Sequence, residues 1–504
     1  MPEGTVKRHI FSMLRLLLRG SAAVLALLLV LLGIASIRAG RLAAPETTPP
    51  PAIPVPSPPA DSLALHLSQA VRFGTISLAD TGPVPVAALD SMREWMEKTY
   101  PRVHKVLHRE QVEHSLLYTW QGADASLAPL LLMAHMDVVP VEPGTESKWT
   151  HPPYSGAIAE GFVWGRGTMD DKVNVVMELE AIEGMLARGV QPKRTVMLEL
   201  GHNEEVLGSG ARAVAKLLGE RKIRPALVID EGGVLVNGIF PGVTRPVALI
   251  GMAEKGYLSL ELSVEGAGGH SSTPPWETAV GVLAHALDRV QTHRFDTRFT
   301  LPTETMFDAL APHMAFTSRL AIGNRWLLGG VLRSQLAKVP GTNAMIRTTT
   351  APTMLFGSPK DNVLPQKARA VVNFRILPGE TRESVEAFVT SVVADERVKI
   401  TRSGSGSDPS PVSDVTSREF DILKRTINEI APDAIVAPYL LIGGTDSRHF
   451  SALSNNVFRF AAQQIGADDI SRAHGTNERA AVASLPGIVK FYTRLMESMA
   501  VNTR

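Results

Sequence analysis

Three short, largely apolar stretches that read as strands, at residues 130–134, 195–200 and 226–229, each lead within a few residues into a histidine or a carboxylate. Runs of that length, separated by stretches of helical periodicity, predict buried strands of a mostly parallel sheet covered by helices on both faces. Open α/β sheets place their sites beyond the C-terminal ends of such strands. The polar residues that follow the three runs are therefore the first candidates for chemistry. They include His135 in LLLMAHMDVVP, Glu204 and Glu205 in GHNEEVLGSGA, and Asp230 in LVIDEGG.

Around these runs the pattern alternates. Helices are expected at 63–72, 87–100, 173–188 and 208–218. The character changes near Lys255. Residues 257–264 alternate like a half-exposed strand, 278–290 read as a helix, 368–375 as a strand, 382–393 as a helix and 398–402 as a strand. That order predicts a small α+β, ferredoxin-like unit inserted into the catalytic domain. The stretch 295–356 fits neither pattern. With 504 residues the chain is too long for one ordinary core. The expected organisation is a catalytic domain built from two segments, 61–254 and 409–504, with a lid or dimerisation domain inserted between them at 255–408.

The N-terminus has a different character. Residues 20–37 (GSAAVLALLLVLLGIASI) are apolar and uncharged, and Lys7, Arg8, Arg15 and Arg19 precede them. About 18 such residues are just enough to span a bilayer. The basic segment 1–19 is expected in the cytoplasm and the rest of the chain outside it, periplasmic or extracellular. Arg38 and Arg41 interrupt the small-residue sites that a signal peptidase would need, so an uncleaved anchor is favoured over a secreted protein. Residues 38–60 carry PETTPPPAIPVPSPP, whose proline density favours polyproline II and predicts a stalk. The net charge of +1 gives no ground for a nucleic-acid partner, and the absence of cysteine excludes thiolate metal sites and a cysteine nucleophile.

Any metal must then sit on His, Asp and Glu. His135 and Asp137 are two apart at a strand end, on one face. Asp170 lies in GRGTMDDK, where Gly165 and Gly167 permit a tight turn that could set one carboxylate between two cations. Glu204 and Glu205 are adjacent in a turn and diverge, so one can bind metal while the other accepts a proton from metal-bound water. Asp230 ends its strand as a candidate ligand, with Glu231 as its competitor. His474 lies in AHGTNE.

Taken in order, MAHMDVVP, VWGRGTMDDK, GHNEE, VIDEGG, GGHSSTPP, NAMIRTTTAPT and VNFRILPGET resemble the di-zinc metallopeptidases that include aminoacylase-1, carboxypeptidase S and glutamate carboxypeptidase. Within that family they are most similar to the carboxypeptidase S branch, which also holds an N-fatty-acyl-amino-acid synthase/hydrolase. The resemblance covers the chain from about residue 60 to about 498. It implies two zinc ions, replaceable by cobalt or manganese. One would be held by His135, Asp170 and Asp230, the other by Asp170, Glu205 and His474. It implies Glu204 as general base and acid, and Asp137 as the residue that orders His135. His270 would stabilise the oxyanion, often across a dimer, Arg375 would bind a substrate carboxylate, and Asn343 would be a further lid contact. Val173 stands where many relatives have glycine, in a helix's first turn. The implied activity is hydrolysis, reversible in principle, of an amide beside a free-carboxylate amino acid. The first expectation is an N-acyl amino acid, with N-fatty-acyl chains among the candidates. A carboxypeptidase or dipeptidase of short peptides is the alternative. An inactive envelope binding protein is the alternative of another class, disfavoured because Glu204 and the five ligand candidates are all present.

Overall fold

The computed structural model describes residues 3–45, 48, 51–79 and 82–501, with the side chains of residues 3–10 and 14 left aside. Residues 46, 47, 49 and 50 of the proline-rich segment lie outside the described residues.

Two sheets organise the chain. The larger has ten strands, in the order His108–Val112, Ser115–Trp120, Val196–Gly201, Leu130–His135, Leu227–Asp230, Val457–Arg459, Val247–Glu254, Leu235–Asn237 and Gln464–Gly466, with Ile435–Leu441 also paired to Val247–Glu254. Leu130–His135 runs parallel to both of its neighbours, Val196–Gly201 and Leu227–Asp230. All three strands are buried along their full length, because helices cover the sheet. The helix Lys172–Ala187 shows how deep that cover is: it is buried nearly all round, between the helices Ala60–Val71 and Leu485–Met496. The C-terminal helix thus packs beside elements from the first third of the chain, and one apolar core joins both ends of the catalytic domain.

The smaller sheet is antiparallel, in the order Thr349–Phe356, Lys367–Ile376, Gly256–Glu265, Val398–Arg402. Helices Ala279–Thr292 and Arg382–Val393 pack on it. The chain order β-α-β-β-α-β with the first and third strands central is the ferredoxin-like arrangement expected from the sequence. Alternate residues of its central strands, such as Leu258, Leu260 and Leu262 opposite Phe374, Val372 and Ala370, form a separate core.

Most of the stretch that fitted neither pattern is helical, comprising Leu301–Leu310, Phe316–Gly323, Arg325–Leu336 and Pro340–Ile346. The ends of the stretch belong to the small sheet, Phe295 in its core and Thr349–Phe356 as an edge strand, but the helices between them do not join that core. Met306, Phe307, Leu310 and Ile322 instead pack on Val247, Ile435 and Ala437 of the large sheet.

The expected stalk also differs from what the chain does. One helix runs from Glu3 to Arg41, and its last turns lie against the helix Phe316–Gly323. Farther along, the Ile53 N–H donates to the Glu429 carbonyl at 2.8 Å, and Val55 is buried. Alanines at positions 35 and 39 permit the close helix approach, and Val55 gains more from burial than from water.

Candidate metal centre

The site forms where the three parallel strands end. His135 closes its strand and is buried. Its Nδ1 lies 3.1 Å from the Asp137 carbonyl oxygen and 3.3 Å from Asp137 Oδ1. A proton on Nδ1 satisfies these acceptors and leaves the Nε2 lone pair free. Nε2 faces Asp170 Oδ1 at 2.9 Å and Glu231 Oε1 at 3.3 Å. On the other side, His474 Nε2 lies 3.1 Å from Asp170 Oδ2 and 3.0 Å from Glu205 Oε2. The two oxygens of Asp170 are therefore divided between two clusters, His135–Asp170–Glu231 and Asp170–Glu205–His474, and within each the candidate ligand atoms lie within 4.8 Å of one another.

Local sequence explains this placement. Gly165 and Gly167 have φ of +146° and +91°, and a Cβ at Gly167 would stand 2.8 Å from Val138. Both positions need glycine for the turn that delivers Asp170. His474 and Asn477, at φ +59° and +62°, occupy the left-handed region without being glycine, a backbone cost that concentrates at functional sites.

The expected base and its neighbour are tied to the same frame. Asp137, fully buried, accepts from the Glu204 N–H at 3.0 Å through Oδ1 and from the Glu205 N–H at 3.3 Å through Oδ2. Glu204, Arg375, Tyr257, Arg448 and His474 line one cavity of about 540 Å³ together with Asp170, Glu205 and Glu231. The Arg375 guanidinium lies over the Tyr257 ring, 4.9 Å from its centroid.

So many acids in one buried place shift one another. Burial and the nearby Asp170 push Glu231 up to about 8, against the pull of His135. Burial and Asp170 push Glu205 up to about 7. Burial also holds Glu204 well above the ordinary carboxylate range, with Asp446, Glu231 and Glu205 adding to it. Hydrogen bonds to Asp170 and Glu205 push His474 up to about 10. These carboxyl groups thus resist ionising together unless more positive charge than the two histidines supply is brought among them. Glu205 Oε1 is buried without a hydrogen-bond partner among the described residues. An unsatisfied carboxylate oxygen in an all-N/O donor set fits a divalent cation.

One sequence expectation is corrected. Asp230 belongs to neither cluster. Its Oδ2 accepts from the Ser447 N–H at 2.7 Å, and its Oδ1 from the Glu231 N–H at 2.9 Å. Glu231 faces His135 in its place. Successive side chains at a strand end point to opposite sides, so only one of the pair can face the cluster.

Two further expected residues stand outside the cavity. His270 is exposed on the short strand Gly269–His270, where its Nδ1 lies 2.8 Å from Ser272 Oγ. Asn343 lines a different cavity, beside Arg294 and Arg347.

Four residues were not singled out by their motifs. Arg448 lines the cavity, and Asp446 is buried with neither carboxylate oxygen hydrogen-bonded among the described residues. Arg166 and Glu478 form a buried pair behind the Asp170 turn, at 2.6 Å. The TDSR segment after Gly443–Gly444, and a Glu four residues beyond His474, were the available signals.

A mixed, mostly parallel sheet with a ferredoxin-like insertion, and two carboxylate–histidine clusters sharing one aspartate, define a metal-dependent hydrolase. The chain belongs to peptidase family M20/M25/M40, whose model matches residues 131–498. It is 37% identical to the probable carboxypeptidase S-like 2 of Dictyostelium discoideum, over 86% of this chain and 85% of that one. It is 38% identical to the human N-fatty-acyl-amino acid synthase/hydrolase PM20D1, over 86% of each chain. Saccharomyces cerevisiae carboxypeptidase S is 33% identical, over 82% of this chain and 80% of that one. Among solved structures, an M20 family metallo-carboxypeptidase from Sulfolobus solfataricus shares the fold with a TM-score of 0.66 at 19% identity, covering 87% of this chain and 99% of that one.

Proposed function

We propose that the protein hydrolyses the amide bond of N-acyl amino acids, long-chain ones included, with two metal ions held by His135, Asp170 and Glu231 and by Asp170, Glu205 and His474. The division of Asp170's two oxygens between two histidines carries the metal part of this reading, and the likeness to N-fatty-acyl-amino acid synthase/hydrolases supports its substrate. When bound, divalent ions at these ligands, zinc by donor type with cobalt or manganese as substitutes, supply an acidified water and a Lewis acid for the carbonyl.

The chain's own groups do the rest. Glu204, in the cavity and outside both clusters, takes a proton from the attacking water on a carboxylate oxygen and returns it to the leaving amide nitrogen. Asp137 holds His135 through Nδ1 and fixes the turn that carries Glu204. Arg375 faces the cavity and grips the substrate carboxylate. His270 and Asn343 stand away from this cavity, so a contact between either and the substrate would come from lid movement or a second copy. The N-terminal helix, which between Phe11 and Arg41 contains an 18-residue window with a mean hydropathy of 2.5, is read as a membrane anchor with the catalytic domain outside the cytoplasm.

The test is a matched panel of acetyl-, oleoyl- and glycyl-phenylalanine, each also as its C-terminal amide, with and without a chelator. Chelator-sensitive cleavage of the oleoyl acid, fastest of the set, is expected. Fastest cleavage of glycyl-phenylalanine would favour the dipeptidase alternative instead. In Arg375→Met, KM for the acids is expected to rise about 10–100-fold, the worth of a charge-assisted contact, with the amides unchanged.

A further inference from the structure

The N-terminal helix does not leave the catalytic domain on a free tether. Ala35 and Ala39, 1% and 0% exposed, pack on the helix Phe316–Gly323. Asn324 Nδ2 donates to the Ala35 carbonyl at 3.0 Å, and Arg319 Nε donates to the Ala39 carbonyl at 3.2 Å. The Ala39 carbonyl is in the last turn and has no partner within its own helix. The Ala44 N–H donates to the Pro312 carbonyl at 3.0 Å, and Leu42 rests where a Cβ on Gly323 would come within 2.4 Å of it. The outer end of the apolar helix is thereby fixed to one particular region of the enzyme.

That region has an unusual surface. Trp326 and Val331 are 58% and 62% exposed, and Phe316 and Leu327 are exposed beside them in sequence and on the same helix pair. From Ala309 to Lys360 the chain contains no Asp or Glu, while Arg319, Arg325, Arg333, Lys338, Arg347 and Lys360 are basic. Asp308, just before this stretch, is paired to Arg325 at 2.7 Å. A span of about 20 residues crosses the hydrocarbon core. A longer helix whose last turns carry Arg38 and Arg41 therefore ends at headgroup level, and it sets its docking partner at the same depth. Exposed tryptophan and aliphatic side chains with basic neighbours are the composition that binds an anionic interface.

We propose that the helices Phe316–Gly323 and Arg325–Leu336 form a second membrane contact, with Trp326, Leu327 and Val331 seated in the headgroup region of an anionic phospholipid bilayer. The proposal rests on reading the N-terminal helix as a membrane anchor. It gives the enzyme a fixed orientation on the surface. The same insertion packs, through Leu301–Leu310, on the strand Ile435–Leu441, whose Leu441 lines the metal cavity.

The test uses the full chain in vesicles of phosphatidylcholine with or without phosphatidylglycerol, carrying brominated acyl chains that quench nearby tryptophan. Trp326→Phe is compared with wild type and with Trp276→Phe, which alters another exposed tryptophan. Most of the bromolipid quenching should vanish in Trp326→Phe, persist in Trp276→Phe, and require phosphatidylglycerol. Protein released from the vesicles by alkaline carbonate would defeat the anchor reading and this proposal with it. Anchored protein whose quenching is the same in wild type and Trp326→Phe, or the same without phosphatidylglycerol, would overturn this proposal alone. So would a detergent-solubilised dimer that becomes a monomer in Trp326→Glu, because a second copy would then occupy the face.

Discussion

Glu478 accepts from the guanidinium of Arg166 at 2.6 Å, and both side chains are almost sealed from water. The pair does more than balance charge. The other oxygen of Glu478 accepts from the backbone N–H groups of Gly167, Met169 and Asp170 at 3.0, 2.8 and 3.2 Å. Arg166 also donates to the carbonyls of His474 and Gly475 at 3.1 and 3.2 Å. Two loops that carry candidate metal ligands, more than three hundred residues apart in sequence, are thus fastened by one ion pair.

Glu478→Gln should therefore weaken the metal centre without touching it. Groups that orient ligands typically cost about 10–100-fold in metal affinity when changed. Metal retained after dialysis, and activity restored by excess metal, measure the effect. Removing one partner of a buried pair also costs about 3–5 kcal/mol of stability, which should lower the unfolding temperature. Unchanged metal content and stability would show that the pair is incidental.

Glu231 and Asp230 should separate cleanly. Glu231→Ala should lose metal from the His135 cluster, leaving fewer ions per chain by elemental analysis. Asp230→Asn should retain metal and lose only some of the stability that its bonds to the Ser447 and Glu231 N–H groups supply, about 1–3 kcal/mol for bonds to a charged acceptor. The opposite pattern would restore Asp230 as the ligand.

Glu204→Gln should keep its metal and its fold but lose turnover by about 10²–10⁴-fold, the usual contribution of a positioned proton-transfer group. KM should change little. Turnover near that of the wild type would remove Glu204 from the proton-transfer role.

Lys255 gives a pH signature of stability. Its ammonium is buried and donates to the Ala344 and Arg347 carbonyls at 3.0 and 2.7 Å. Burial, aided by Arg375, pulls its pKa down to about 7. The unfolded chain holds this proton up to about pH 10.4, so between these values it binds more protons than the folded chain. The contribution of Lys255 to stability must then rise with pH from about 7 upward. Urea unfolding of wild type and Lys255→Met at pH 7 and pH 9.5 tests this, with wild type gaining relative to the variant at the higher pH. A pH-independent difference would mean that the lysine titrates normally.

The buried parallel strands were legible because a run such as LLLMA can satisfy its backbone and its apolar side chains together only between covered strands. The ferredoxin-like insertion was legible from the alternation of YLSLELSV. His135, Asp170, Glu205 and His474 were each named from their motifs, and the structure brings them together. The helices between residues 301 and 346 were not legible. Their apolar residues serve a contact with strands distant in sequence, which no local period reveals.

The sequence by itself determined the donor chemistry: without cysteine, with histidines and carboxylates at strand ends, the centre had to be built from nitrogen and oxygen. It also determined the apolar N-terminal helix, because composition and length suffice for that. Only the tertiary structure brought Glu231, and not Asp230, to face His135 and Asp170, since that depends on which side of the strand end faces the cluster. Only the tertiary structure joined Glu478 to Arg166 and laid the end of the N-terminal helix against Phe316–Gly323. Those relationships are set by how distant segments pack, and nothing in their own neighbourhoods records them.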